Sequence, residues 1–196
     1  KWAPVAPLTE TKELVYSDPK VRQPSWSRYY SGTSETRDRE LSYALDVGLE
    51  VLGGGMTSRL YQSLVEDQQI AINANTYAWT TLHDEGPAII TASPAPGVTL
   101  DVLETAIMEE GFTDAEVERA RNSLAAQAIY ARDSQSNMAN TFGSTLALGG
   151  SIEDVLDYPD AMRAITTEQA IAAVREIFGA DRHYIEAHLL PAEGDS

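Results

Sequence analysis

The sequence predicts an α+β domain, a largely antiparallel sheet with helices layered on one face. Three observations carry this. Period-two alternation recurs in short blocks, including one long hairpin. Amphipathic stretches opened by capping residues lie between the blocks. The element order, β-β-α-α-β-β-α-α-α-α-β, does not alternate strictly enough for a βαβ sheet. The 196 residues, 43% hydrophobic and 22% charged, suffice for one well-cored domain.

Residues 1–11 carry Pro4 and Pro7 without periodicity and read as a linker arriving from an upstream domain. The domain proper spans residues 12–191, and 192–196 form a tail. The chain opens on Lys1 rather than Met, which is expected of a piece of a longer or processed protein. Lys12–Tyr16 and Val21–Tyr30 read as strands around Ser17-Asp18-Pro19, with alternation clearest at Trp26, Arg28 and Tyr30. From about Ser34 to Leu52, Leu41, Leu45, Gly48, Leu49 and Leu52 form one helical stripe. Gly53-Gly54-Gly55 ends that helix, and a second runs from about Thr57 to Asp67, where Thr57 and Ser58 offer capping oxygens.

Ile70–Thr81 alternates Ile70, Ile72, Ala74, Thr76 and Ala78 against Ala71, Asn73, Asn75, Tyr77 and Trp79. It pairs with Ala88–Ala92 across the turn His83-Asp84-Glu85-Gly86-Pro87. Helices follow at Thr99–Glu110, at Thr113 to about Arg132 behind the capping box Thr113-Asp114-Ala115-Glu116, and at Asn137–Leu148. Ile152–Leu156 and Ala161–Ile165 are helical pieces broken at Pro159. Thr166-Thr167-Glu168-Gln169 opens a last helix to about Phe178, and His183–Leu190 is a final strand near a sheet edge.

Composition excludes several functions. Fourteen basic against 30 acidic residues give a net charge of −16, which repels nucleic acid and anionic membrane surfaces. No long apolar run exists to span a bilayer, so a soluble protein of the cytoplasm or periplasm is expected, with neither compartment favoured. Cysteine is absent, which removes disulfides, thiolate metal sites and a cysteine nucleophile.

No catalytic constellation stands out. His183 and His188 flank Glu186, but the spacing matches no helical zinc motif, and on a strand the two histidines face opposite ways. His83 lies in a hairpin turn. No nucleophile elbow is present, and the glycines lack both a preceding strand and the Gly-Lys-Ser/Thr ending of a phosphate loop. No catalytic and no metal-binding residues are assigned. Arg59 is the residue to watch, because a cation in the first turn of a helix gains nothing from the dipole: a specific partner would explain it, and a solvent-exposed arginine is the ordinary alternative.

The run Leu52-Gly53-Gly54-Gly55-Met56-Thr57-Ser58-Arg59-Leu60-Tyr61-Gln62-Ser63-Leu64 resembles a motif of the M16 zinc peptidases (pitrilysin, insulin-degrading enzyme, mitochondrial processing peptidase). Phe112–Arg121 resembles that family's Thr-x-x-Glu helix, Asn137–Gly149 the helix after it, and Asp157–Glu168 the loop before its last helix. The likeness spans about Leu14 to Pro191, although Thr99–Gly111 is short against the family, through a reduced loop or through missing residues. It implies the non-catalytic C-terminal half. Zinc would sit in the upstream half, on His-x-x-Glu-His, which is absent here. That half, a possible second M16 subunit and peptide substrates are the implied partners. By the same resemblance Gly53, Gly54, Gly55 and Arg59 are candidate substrate-binding residues, with β-augmentation along Ile70–Thr81 as the mode.

One departure matters. Where such halves read Leu-Arg-Glu-x-x-Gly-Leu-Ala-Tyr, this chain has Val65 at the Arg position and Ile72 at the Tyr position. Neither side chain donates a hydrogen bond, so the family's Arg/Tyr substrate role is not carried over. A zinc subunit whose partner supplies that pair fits this chain. The other reading is a scaffold or assembly subunit of a non-proteolytic homologue.

Overall fold

The computed structural model describes residues 4–99 and 112–192. Its five-stranded sheet comprises β1 (Lys12–Asp18), β2 (Ser25–Ser31), β3 (Ala71–Ala78), β4 (Pro87–Pro94) and β5 (Tyr184–Pro191), in the order β1-β5-β2-β4-β3. Only β1–β5 is parallel; the other three pairings are antiparallel. The final strand is therefore interior rather than near an edge, because β1 adds outside it, and β1 and β3 are the edges.

The α-helices are α1 (Arg39–Gly53), α2 (Asp114–Ala131), α3 (Gln135–Ala147), α4 (Ile152–Ala164) and α5 (Thr167–Phe178). Trp26 and Tyr30 of β2, Ala88, Ile90 and Ala92 of β4, and Ala74 of β3 share one core with Leu45 and Leu49 of α1 and Ala170, Ala173 and Ile177 of α5. Tyr30 meets Phe178 edge-on, with ring centroids 4.9 Å apart. Thr113, Ser151 and Thr166 cap α2, α4 and α5 with reciprocal capping boxes.

Three elements depart from expectation. Helix α4 runs through Pro159. A proline inside a helix costs about 3 kcal/mol, but Pro159 and Met162 are the residues α4 buries, and the Tyr158 hydroxyl donates to Asp46 Oδ2 at 3.4 Å. Packing of that turn offsets the lost backbone bond. The segment after the glycines is a π-helix, Tyr61–Asp67, whose wide turns bury Leu60 and Leu64 while feeding the chain into β3. In β3, a register shift between Ala71 and Asn73 reverses the expected phase. Ala71 turns inward with Ala74, and Ile72, expected on the same side as Ala74, is 46% exposed. The helix expected at Thr99–Glu110, and any shortening around it, fall almost entirely outside the described residues.

Candidate functional site

The C-terminal end of α1 packs directly onto β3. A side chain at Gly53 would place its Cβ 2.3 Å from the Thr76 backbone nitrogen, so only glycine lets helix and strand approach this closely. The Thr76 hydroxyl donates to the Leu49 carbonyl at 3.0 Å across the same contact. Gly55, at φ +100°, then turns the chain toward the π-helix.

Arg59 has a specific partner rather than solvent exposure. Its Nε and Nη2 donate to the two carboxylate oxygens of Glu116 at 2.7 and 2.8 Å, in a side-on fork. Glu116 is also the third residue of α2, and it accepts from the Thr113 backbone N–H at 2.8 Å and the Thr113 hydroxyl at 2.6 Å. One carboxylate thus closes a capping box and clamps the glycine loop. The donors hold its pKa down at about 2, Arg59 foremost. Arg119 adds a hydrogen bond from Nη2 to the Thr57 carbonyl at 3.1 Å. Ser58 does not cap; its hydroxyl is buried and finds no hydrogen-bond partner among the described residues.

The glycine loop therefore sits beside the sheet edge that β3 presents. Tyr77 and Trp79 are exposed there, along with Ile72 at the bulge. Val65 is half-buried against the core, on the side of the π-helix that carries Leu64. Gln69, at the family's glycine position, takes φ +55°, a conformation that glycine adopts at least cost.

The histidine-containing strand is a structural tie. Glu186 is buried on the inner face, with Arg28 Nε donating to its Oε2 at 2.6 Å and His188 Nε2 lying 2.7 Å from its Oε1. The Arg28 guanidinium also lies over the Tyr184 ring, 4.1 Å from its centroid. His183 is exposed just ahead of the strand. Among the described residues no group of three or more His, Cys, Asp or Glu could hold a metal ion, and no helix is long and apolar enough to cross a membrane.

The Arg59–Glu116 clamp spans 57 residues, so nothing local in the sequence announces it. Its only signal is the arginine at a helix start, where the dipole disfavours a cation.

Residues 2–124 match the family model described as the peptidase M16 inactive domain. An uncharacterised zinc protease of Mycobacterium bovis is 32% identical over 165 residues, 79% of this chain and 36% of its own length. The chain thus spans about a third of that relative. The fold also matches a protease from Helicobacter pylori, at TM-score 0.81 and 21% identity over 91% of this chain and 44% of that one. A peptidase M16 inactive domain from Pseudomonas fluorescens superposes at TM-score 0.80 and 18% identity, over 100% of this chain and 47% of that one. A family model covering well over half the sequence, on a fold with these neighbours, leaves one conclusion: the chain belongs to the M16 peptidase family, as its inactive C-terminal domain.

Proposed function

We propose that this domain walls one side of the peptide-holding chamber of a zinc metallopeptidase and supports an upstream half that carries the zinc. The observation that carries this reading is the free edge of β3, beside a glycine loop clamped by Arg59 and Glu116. An extended peptide adds to such an edge through its main chain, with side chains alternating across it. Gly53, Gly54 and Gly55 keep the loop side of that edge low. Arg59 serves as a positioning residue, since its fork to Glu116 fixes the loop. With Val65 and Ile72 at the family's Arg and Tyr positions, a second M16 subunit supplies the polar contacts to the peptide.

The same two residues favour the competing reading, a scaffold or assembly subunit without proteolysis. Zinc content and chelator-sensitive cleavage of an unstructured peptide, measured on the full-length parent with and without any co-purifying subunit, separate the two. Zinc with cleavage is the expected result, and a requirement for the subunit accounts for Val65 and Ile72. A parent with no zinc and no cleavage overturns the peptidase reading.

A further inference from the structure

A second concavity lies at the other end of α1. It has a volume of about 560 Å³, within the range that small ligands occupy. Tyr43 and Asp46 of α1, Ala128 and Ala131 of α2, Val155 of α4 and Met138 of α3 line it. The lining is mixed, because α3 adds Asn140, Thr141, Ser144 and Thr145 to the apolar side chains.

Two of the polar groups on the lining are the carboxylates Asp46 and Glu35. Asp46 receives only long hydrogen bonds, from Thr80 Oγ1 at 3.5 Å and the Tyr158 hydroxyl at 3.4 Å. Glu35 receives one, from Thr81 Oγ1 at 3.2 Å. Among the described residues neither is ion-paired. The nearby guanidinium of Arg39 is engaged in a side-on fork with Asp154, at 2.6 and 2.9 Å. Arg132 donates to the Leu156 carbonyl at 2.7 Å. Arg39 acts on Glu35 without pairing with it, and Arg132 lies on the lining, but no cation forms an ion pair with either carboxylate among the described residues, which is costly for buried charge. The cleft is complementary to a cation on an aliphatic stem.

We propose that this cleft binds an alkylammonium group, its ammonium on Asp46 and Glu35 and its hydrocarbon chain along Tyr43, Ala128 and Val155. A free amine and the lysine side chain of a peptide share that chemistry. Burial, and then the neighbouring Glu35, push the Asp46 carboxyl up to about 7. Glu35, Tyr43, Asp154, Arg39, Arg132 and Tyr158 are the other ionisable groups around it. An alkylammonium ion selects the ionised carboxylate, so binding strengthens as pH rises through that value.

The test is titration calorimetry at pH 8 on the full 196-residue chain, with n-pentylamine, 1-pentanol and N-acetyl-lysine amide as probes. The expected result is saturable pentylamine binding, at least tenfold weaker in Asp46→Asn, with none for the alcohol. Met138→Trp, on a helix that buries no residue, fills the cleft without touching the carboxylates and also weakens binding at least tenfold. Binding of the lysine amide with the same dependence identifies a peptide side chain as the source, and binding of pentylamine alone identifies a free amine. No saturable binding of either amine to 20 mM, or undiminished binding in both variants, overturns the proposal. No zinc enters the experiment, so its failure leaves the chamber-wall reading standing.

Discussion

The two ends of α1 solve the same problem in opposite ways. At the C-terminal end Gly53 brings helix and strand into contact, and the nearest charges, Arg59 and Glu116, satisfy each other side-on. At the other end Asp46 and Glu35 stand over an open cleft with hydroxyl donors alone. A satisfied ion pair marks where the fold is being held; carboxylates without one mark where it waits for something. On the two proposals above, the glycine loop supports the neighbouring sheet edge and the cleft is the more receptive surface.

Changes at the closed end cost the most. Gly53→Ala drives a methyl into the Thr76 backbone, and a loss of about 3 kcal/mol in denaturant unfolding is expected, as for severe overpacking. A loss under 1 kcal/mol would mean that α1 retreats from β3 easily. Arg59→Ala should cost about 2 kcal/mol, between exposed and buried pairs, since both side chains are about four-fifths covered. The pH profile sharpens this. Glu116 has a folded pKa depressed to about 2, so its stabilisation is present above the usual carboxylate range and is lost as pH falls toward 2. In Arg59→Ala most of that acid dependence should vanish between pH 4.5 and 2, leaving only the contribution of Thr113.

The open end has the opposite sign. Asp46 is raised to about 7, so the folded state favours the protonated form, and stability falls as pH rises from about 4 through 7. Asp46→Asn should flatten that decline and gain about 1 kcal/mol at pH 8, seen in chemical denaturation. A loss at pH 8 would show that the ionised carboxylate contributes to folding. The smallest effect belongs to the connection between the π-helix and β3: Gln69→Gly relieves a left-handed residue at φ +55° and should stabilise by roughly 0.5 kcal/mol. An unchanged melting temperature there would mean that the strain is absorbed elsewhere.

Local chemistry was legible in the sequence and pairing at a distance was not. The capping boxes at Thr113 and Thr166, the hairpin around His83–Pro87 and the glycine break all appear where propensity places them, whereas the cap at Ser151 was not read. The π-helix and the Ile72 bulge escaped, because an extra residue in a turn leaves no periodic trace once the strand resumes. Pro159 misled for a related reason: local rules break the helix, and tertiary burial restores it. At the candidate site the glycines stood out, whereas the partner of Arg59 lies on another helix. Asp46 sits inside the apolar run of α1, between Leu45 and Val47, and that misplacement was the one available signal for the cleft.

The most direct measurement is hydrogen exchange along β3 in the full-length parent, stripped of zinc by chelator so that a bound peptide is held uncleaved. The chamber-wall account predicts slowed exchange from Asn73 to Trp79 on addition of an unstructured 20-residue peptide, as backbone groups at the free edge acquire partners. Unchanged exchange in β3, with protection confined to the upstream half, would contradict it.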